Sequence, residues 1–396
     1  MSRLMIKAVH LTNFRTLRDF QVNLGLRNVL VGPNMAGKSN LIDVFRFLSN
    51  MLTPGPGLSG VANAFNLRNG FWEVAWKGSD ESTISISIDV EGVAHGSKEL
   101  AIWSYKLTLI GDPRGWVRVL DEKLNLRTSE NSYSLIDKSG GDRVLKNIDQ
   151  RVLSSIVQPE RSALEFEIPD WDGNAVREFV RSWRFYRLVP PLMRQANSTA
   201  ATEFLSEFGD NLSSWLLNLQ TRHGDAFARI KSVAKDVFPE LEDLFTWPTQ
   251  QQTVFVASRE KHLKRPILAW QMSEGQLAFI ALLSMILAPA SIGAPLYCIE
   301  EPENNLHPRL LETLIELLKQ VQQELGPRQS AQIIVSTHSP QLVDLCDLDE
   351  LIVVERQQGI TKCSRPSDKS HLRKLLERQE VGLGSLFYTG ALSSAE

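Results

Sequence analysis

Four short stretches of this 396-residue chain carry residue types whose spacing suits phosphate chemistry. Residues 32–39 read GPNMAGKS, the pattern G-x-x-x-x-G-K-[ST]. Glycines at such positions let the backbone turn so that successive N–H groups converge on phosphate oxygens, aided by the N-terminus of the helix that follows. Lys38 would place a point charge on the β- and γ-phosphates, and the Ser39 hydroxyl would reach Mg2+. At residues 296–301, LYCIEE, an apolar run ends in two acids. Glu300 is expected to hold Mg2+ through water, and Glu301 to position and activate the water that attacks the γ-phosphate in line. Adjacent carboxylates at a strand end point in different directions, so two roles for two acids are natural. A third apolar run, QIIV, ends in Ser336-Thr337-His338-Ser339-Pro340. His338 could bond the γ-phosphate or the attacking water, although a lone histidine is more often structural. The fourth stretch, Met272-Ser273-Glu274-Gly275-Gln276, precedes a long apolar run. It reads as an ordinary helix cap, or as an anion site made from the same free N–H groups.

These groups need a sheet to bring them together. Residues 4–11, 20–24 and 28–31 are predicted strands; the last, NVLV, is an apolar run from Val29 bounded by polar residues and Gly32, as a strand buried on both faces would be. A helix is predicted from Lys38, with a stripe through Leu41, Ile42, Val44 and Phe45, and the proline-glycine run at 53–61 breaks it. Residues 70–168 alternate with a period of two between turn clusters, which predicts an antiparallel β lobe. Residues 174–244 read as helical, followed by a hairpin-like pair and the long helix near Glu274. The remainder alternates strand and helix, which predicts parallel pairing through crossovers. The chain is therefore expected to be α/β, with one discontinuous head (1–60 and 250–396), an inserted β lobe (61–170) and a helical lobe (171–249). Ligands of open α/β sheets bind beyond the carboxyl ends of the strands. Three strand ends carrying competent groups weigh far more than any one of them.

Composition narrows the partners. Lysine and arginine number 43 against 46 acids, a net charge of −3, so no global basic field draws nucleic acid. The three cysteines have no metal-ligand spacing and suit a reducing compartment. The N-terminus lacks a signal-type apolar core, and the longest apolar run, 277–288, is short of the roughly 20 residues a span needs. The expectation is a cytoplasmic protein with no membrane partner.

The order of these motifs resembles the ATP-binding-cassette ATPases, and more narrowly their non-transporter branch of RecF, SMC-type heads and overcoming-lysogenization-defect (OLD) ATPases. NFR (13–15), GPNMAGKSN, MSEGQLAFIALL, IEEPENNLHP, STHSPQLVD and LGSLFYTGAL (383–392) carry the likeness, while 70–250 matches loosely. The resemblance implies a P-loop NTPase fold of ABC-ATPase type with ATP and Mg2+ as cofactors. It assigns Gly32, Pro33, Asn34, Ala36, Gly37, Lys38, Ser39 and Asn40 to nucleotide binding, and Ser39 and Glu300 to the metal. Glu300 stands where the family usually has Asp. Glu301 matches the catalytic base and His338 the switch histidine. Ser273, Gly275 and Gln276 match the signature, residues 303–307 the D-loop, and Arg15 a nucleotide-proximal arginine. No glutamine loop can be placed. The resemblance further implies that the signature of one copy caps ATP in another, giving a homodimer or higher homo-oligomer, with a role in anti-phage defence or genome maintenance and a separate effector protein. The alternatives are a RecF-like DNA-repair ATPase that clamps DNA itself and a scaffold that binds ATP without hydrolysing it.

Other signals have plainer readings. Arg177, Arg181, Arg184, Arg187 and Arg194 interleave with aromatics and could follow a DNA backbone, or could equally be a solvated face over core aromatics. The cluster Arg259, Lys261, Lys264 and Arg265 reads as a charged turn, as does Asp112–Gly115 despite its D-x-x-G pattern. The run ending in Glu355 resembles the first strand of a Toprim nuclease. Arg356 replaces the expected glycine, no D-x-D follows and only 41 residues remain, so nuclease activity is not expected.

Overall fold

The computed structural model describes residues 3–93, 99–112, 114–139, 142–200, 202–366 and 382–388. The chain opens with a hairpin, β1 (Met5–Phe14) and β2 (Leu17–Asn23), then enters β3 (Arg27–Val31), the phosphate loop and α1 (Lys38–Asn50). α1 forms where the sequence stripe predicts it, burying Leu41, Ile42, Val44, Phe45, Phe47 and Leu48. After the break come two short helices, α2 (Gly60–Asn66) and α3 (Phe71–Val74). An antiparallel run follows: β4 (Thr83–Val93), β5 (Leu100–Gly111), β6 (Val117–Arg127), β7 (Ser132–Ser139), β8 (Asp142–Lys146) and β9 (Val152–Ile156). In β4 the alternation is strict, with Ile84, Ile86, Ile88 and Val90 inward.

This run is not hydrogen-bonded only to itself. β1 pairs with β4, giving one sheet in the order β2-β1-β4-β5-β6-β7-β8-β9. The chain division expected near residue 60 therefore coincides with no break in sheet pairing.

The next elements are α4 (Asn174–Arg181), β10 (Arg184–Tyr186), α5 (Pro190–Met193), β11 (Asn197–Ser198), α6 (Leu212–Arg222) and α7 (Gly224–Val237). A small sheet of β11, β12 (Leu241–Pro248), β13 (Thr253–Glu260) and β14 (Ile267–Leu268) leads into α8 (Glu274–Ile286). The segment read as helical, 174–244, thus also contains β10, β11 and the start of β12. β10 pairs in parallel with β15 (Leu296–Glu300), Arg184 opposite Tyr297 and Tyr186 opposite Ile299. Three residues are too few for a periodic signal, and neighbouring helices mask it.

The chain closes with α9 (Pro308–Leu325), β16 (Gln332–Thr337), α10 (Pro340–Asp344), β17 (Leu351–Gln357), β18 (Ile360–Ser364) and α11 (Leu383–Tyr388). The second large sheet runs β10-β15-β16-β3-β17-β18, parallel except for β18. Its inner strands are buried on both faces. Leu296 and Cys298 of β15 join one core with α1 and the antiparallel sheet, while Tyr297 and Ile299 join a second with α6, α7, α8 and α9. The strand ending in Glu355 lies in this sheet beside β3. No helix among the described residues is long and apolar enough to cross a membrane.

Candidate functional site

The order β15-β16-β3 sets three carboxyl ends side by side, and register sets their height. Glu300 lies opposite Ser336, and Thr337 opposite Val31, so Glu301, His338 and Gly32 leave the sheet at nearly one level. The phosphate loop turns through left-handed backbone: Met35 has φ 66°, and Gly37 has φ 108°, which a glycine adopts without steric cost. A side chain on Gly37 would meet Thr361 Oγ1 of β18 at 2.0 Å, and one on Gly32 would meet the Val354 carbonyl at 2.2 Å. Lys38 folds back on the loop, its Nζ donating to the carbonyls of Gly32 (2.7 Å) and Pro33 (3.0 Å). Burial pushes its ammonium below the usual lysine range, opposed by Glu301 and Glu303. Those carbonyls mark the direction from which a bound phosphate would draw the lysine.

Beneath the loop lies a chain of hydroxyls. Asn40 Nδ2 donates to Thr16 Oγ1 (2.6 Å), Thr16 Oγ1 lies 2.6 Å from Thr361 Oγ1, and Thr361 Oγ1 donates to the Ala36 carbonyl (2.8 Å). Asn40, assigned to nucleotide binding by resemblance, thus spends its amide on the support of the loop. Thr16 and Thr361 carried no sequence signal, because β18 has no periodicity that fixes its register.

Glu301 sits at φ 48°, its N–H donating to the Ser336 carbonyl at 2.9 Å. One carboxylate oxygen lies 3.3 Å from His338 Nδ1, and the other accepts from Asn304 Nδ2 at 2.9 Å. Glu303 completes the group. Its Oε1 accepts from Thr337 Oγ1 (2.5 Å) and from the His338 N–H (3.3 Å), while its Oε2 is buried without a partner. Placed by resemblance only in the D-loop stretch, Glu303 bridges that stretch to the His338 turn. The repeated Glu-Pro-Glu spacing was the available signal.

Glu300 is held by an arginine that the sequence reading passed over. Arg46 Nη2 donates to Glu300 Oε1 (3.0 Å) and to Glu207 Oε1 (2.8 Å). Burial alone would lower the Arg46 guanidinium, but Glu207, Glu300 and Asp43 together hold it above its ordinary value. The Ser39 hydroxyl and the Glu300 carboxylate are hard oxygen donors, as Mg2+ requires. Among the described residues no group of three or more His, Cys, Asp or Glu could hold a metal ion. A cation here would share its shell with phosphate and water, which is the usual habit of Mg2+.

Two expected participants stand further off. Arg15, at φ 50° in the β1–β2 turn, pairs with Asp43 of α1 at 2.8 Å, and Asp43 is gripped in turn by Arg68 at 2.7 Å. Ser273 caps α8: its Oγ accepts from the Gln276 N–H (3.2 Å) while the Gln276 side chain accepts from the Ser273 N–H (3.0 Å). A side chain on Gly275 would stand 3.0 Å from the Asn305 carbonyl, so the signature abuts the D-loop stretch of its own chain. Among the described residues no hydrogen bond or ion pair joins it to the phosphate loop.

The arginine stripe comes apart. Arg177 is buried and pairs with Glu178 and, at 3.4 Å, with Glu167. Arg181 reaches Glu178 at 3.9 Å. Arg184 lies on β10 with its guanidinium 4.0 Å over the Phe204 ring. Arg187 is exposed, and Arg194 donates to the Met272 carbonyl (3.1 Å) beside the signature. Trp183 and Phe179 between them are core residues. The segment changes from helix to strand to loop within the stripe, so the five arginines do not form one helix face.

Fold and strand-end chemistry together define a P-loop NTPase of ABC/SMC type. The chain belongs to the family described as AAA domain, putative AbiEii toxin, type IV TA system, whose model matches residues 27–344. An OLD nuclease from Thermus scotoductus is 22% identical over 393 residues, covering 96% of this chain and 68% of the relative. The Smc head bound to the C-winged helix domain of ScpA shares the fold with a TM-score of 0.56 at 12% identity, covering 93% of this chain and 99% of that one. An Smc head with an extended coiled coil, bound to the C-terminal domain of ScpA and derived from Pyrococcus furiosus, gives 0.52 at 12%, covering 95% and 100%. The family implies use of a nucleotide and, as a rule, of Mg2+.

Proposed function

We propose that the chain hydrolyses ATP with Mg2+ and that two copies close head to head on the nucleotide. The observation that carries hydrolysis is the Glu301–His338 pair, set level with the phosphate loop by strand register. In this reading the loop N–H groups and Lys38 bind the β- and γ-phosphates, and Lys38 exchanges the Gly32 and Pro33 carbonyls for phosphate oxygens. Mg2+, when bound, would neutralise phosphate charge, with Ser39 and Glu300 as its holders. Glu301 takes the proton of the attacking water; His338, its Nδ1 turned to Glu301, leaves Nε2 for the γ-phosphate or that water. Arg15 reaches the nucleotide only by leaving Asp43.

Closure of two copies is supported by the position of Ser273, Gly275 and Gln276, on a helix N-terminus apart from their own phosphate loop. Met35 at the loop tip is 81% exposed, as a residue awaiting a second surface would be. The test is light scattering of Glu301→Gln protein with saturating Mg-ATP: a dimer is expected, and a persistent monomer overturns the model. Phosphate release by the wild type above the Glu301→Gln level separates hydrolysis from mere nucleotide gating.

For the biological role we favour anti-phage defence or genome maintenance, with the ATPase as sensor or scaffold for a separate effector. The likeness to an OLD nuclease and the toxin named in the family description support this, and the Smc heads bound to ScpA domains illustrate a head that carries a partner. Dispersal of the five arginines favours a protein effector over direct DNA clamping. Equal hydrolysis with and without DNA is expected, and steep salt-sensitive stimulation by DNA would reverse that preference. Nuclease activity is not part of the proposal; cleavage by pure protein, lost on chelation, would add it.

A further inference from the structure

We infer that Arg46 is the resident counter-ion of Glu300, which a divalent cation must displace, and that Glu207 sets how tightly Arg46 holds it. The inference rests on the reading of Glu300 as the metal acid.

The geometry begins on α1. Ser39, Asp43 and Arg46 follow one another at spacings of four and three, so they share one face of the helix that starts at the phosphate loop. From that face Arg46 reaches the end of β15. One nitrogen, Nη2, donates to both Glu300 Oε1 and Glu207 Oε1. Nη1 lies 3.9 Å from Asp43 Oδ1, and the guanidinium carbon sits 5.2 Å over the Phe185 ring of β10. The Arg46 and Glu300 side chains are 23% and 11% exposed, so solvent screens this pair weakly. The Arg46 Nε is buried without a partner. A guanidinium kept in place at the cost of an unsatisfied donor is held by its carboxylates.

Glu300 is thus already neutralised before any metal arrives. A divalent cation taking the same carboxylate would meet a fixed positive charge in a poorly screened site, and like charges at that range oppose each other. Glu207 bears on the outcome because it competes with Glu300 for one Arg46 nitrogen. It lies in the segment between β11 and α6, and its carbonyl accepts from the Arg187 N–H (2.9 Å), just past β10. The strength of the Arg46–Glu300 bond therefore depends on where this segment stands. The Glu300 side chain is thereby linked to the segment before α6 through the Arg46 guanidinium.

The experiment measures how much Mg2+ strengthens nucleotide binding. The dissociation constant of a fluorescent ADP is determined for the full chain in excess EDTA and in excess Mg2+, and the ratio is the metal enhancement. Arg46→Met, which keeps the stem packed on Phe185, should raise the ratio about tenfold, the order expected for removing one like-signed charge nearby. Arg46→Lys should restore the wild-type ratio in large part. Glu207→Gln should move it the opposite way, since the charge that competes with Glu300 for Arg46 Nη2 is then gone. A role in packing alone would lower the thermal midpoint without opposite shifts from two partners of one bond. The inference is overturned if Arg46→Met leaves the ratio unchanged or lowers it, or if Glu207→Gln shifts it in the same direction as Arg46→Met. Glu300→Gln keeps the two failures apart. If it removes the enhancement while Arg46→Met has no effect, Glu300 is the metal acid and only the counter-ion idea is lost. If it leaves the enhancement intact, the assignment of Glu300 itself is wrong.

Discussion

Thr361→Val would test whether the phosphate loop is held from below. Thr361 is 1% exposed, on the antiparallel edge strand β18. The proton direction in its hydroxyl chain is forced: Asn40 Nδ2 can only donate, and the Ala36 carbonyl can only accept. Asn40 therefore donates to Thr16, Thr16 to Thr361, and Thr361 to Ala36. Valine matches the shape of threonine and breaks this chain in the middle, leaving the Ala36 carbonyl and the Thr16 proton without partners. A buried polar group left unsatisfied costs about 1–3 kcal/mol. Thr16 is only partly buried and can turn to water, so the carbonyl dominates and a loss of about 2 kcal/mol is expected. Thr361→Ser keeps the hydroxyl and loses one methyl group, worth about 1 kcal/mol. Nucleotide binding separates the two variants further, because it needs the loop N–H groups preorganised. Thr361→Val should weaken binding of a fluorescent ADP on the order of tenfold, about 1.4 kcal/mol, while Thr361→Ser should stay near wild type. Urea unfolding followed by tryptophan fluorescence gives the stability arm. If Thr361→Val binds nucleotide as the wild type does, or if Thr361→Ser is the more damaging of the two, the hydroxyl chain is not what holds the loop.

The same strut predicts that Gly37→Ala costs at least about 2 kcal/mol of stability and abolishes nucleotide binding, since φ is 108° and the new carbon would meet Thr361 at 2.0 Å; recovery of binding in Gly37→Ala/Thr361→Ala would be partial, because only the clash is relieved. Glu303→Ala should lower the rate of phosphate release roughly tenfold with a smaller change in nucleotide affinity, because it frees the Thr337–His338 turn and makes no hydrogen bond to the phosphate loop; Glu303→Gln, which still accepts both bonds, should fall between. In the antiparallel sheet, Glu122 is fully buried and paired with Arg143 at 3.1 Å while accepting from Tyr105, Ser162 and Ala163. Arg143→Ala should cost about 3–5 kcal/mol by urea unfolding, and Glu122→Leu/Arg143→Met should recover much of it, since the expense lies in the uncompensated charge.

What the sequence made legible follows the reach of its signals. β3, α1, α8 and α9 were readable because each carries either an unbroken apolar run or a helical stripe, and the strand-end acids and His338 followed from the apolar runs before them. The antiparallel run was readable as strands by its alternation, but not as an extension of β1 and β2. Alternation states which side of a strand is apolar and says nothing about its neighbour, and the pairing of β1 with β4 spans about 80 residues. β10 and β18 escaped because edge strands of three and five residues carry too little pattern. The groups that support the site were hidden for a related reason. Thr16, Arg46, Glu207 and Thr361 are ordinary residue types whose importance lies in who stands opposite them. Tertiary partnership leaves no mark on local spacing.

That partnership has a consequence for how the site comes into being. β3 carries the phosphate loop, yet its two sheet neighbours are β16 and β17, about 300 residues further along the chain. The first strand of this sheet to be made is thus a central strand, flanked only by some of the last. Until residues 332–354 have arrived, β3 has no parallel partner on either side. Glu301 and His338 have no common level with the loop, and Thr361 is not there to hold Ala36. Contacts at such separation carry a large loop-closure cost and form late. The intervening antiparallel sheet need not wait, because its strands pair mainly with near neighbours and begin on β1 and β2. The two sheets therefore differ in contact order within one chain, and α1, packed in the core they share, is where the early one meets the late one. Nucleotide binding is then expected only of chains that extend through β18, because no N-terminal piece that stops before residue 364 holds all the strands that fix the shape of the phosphate loop.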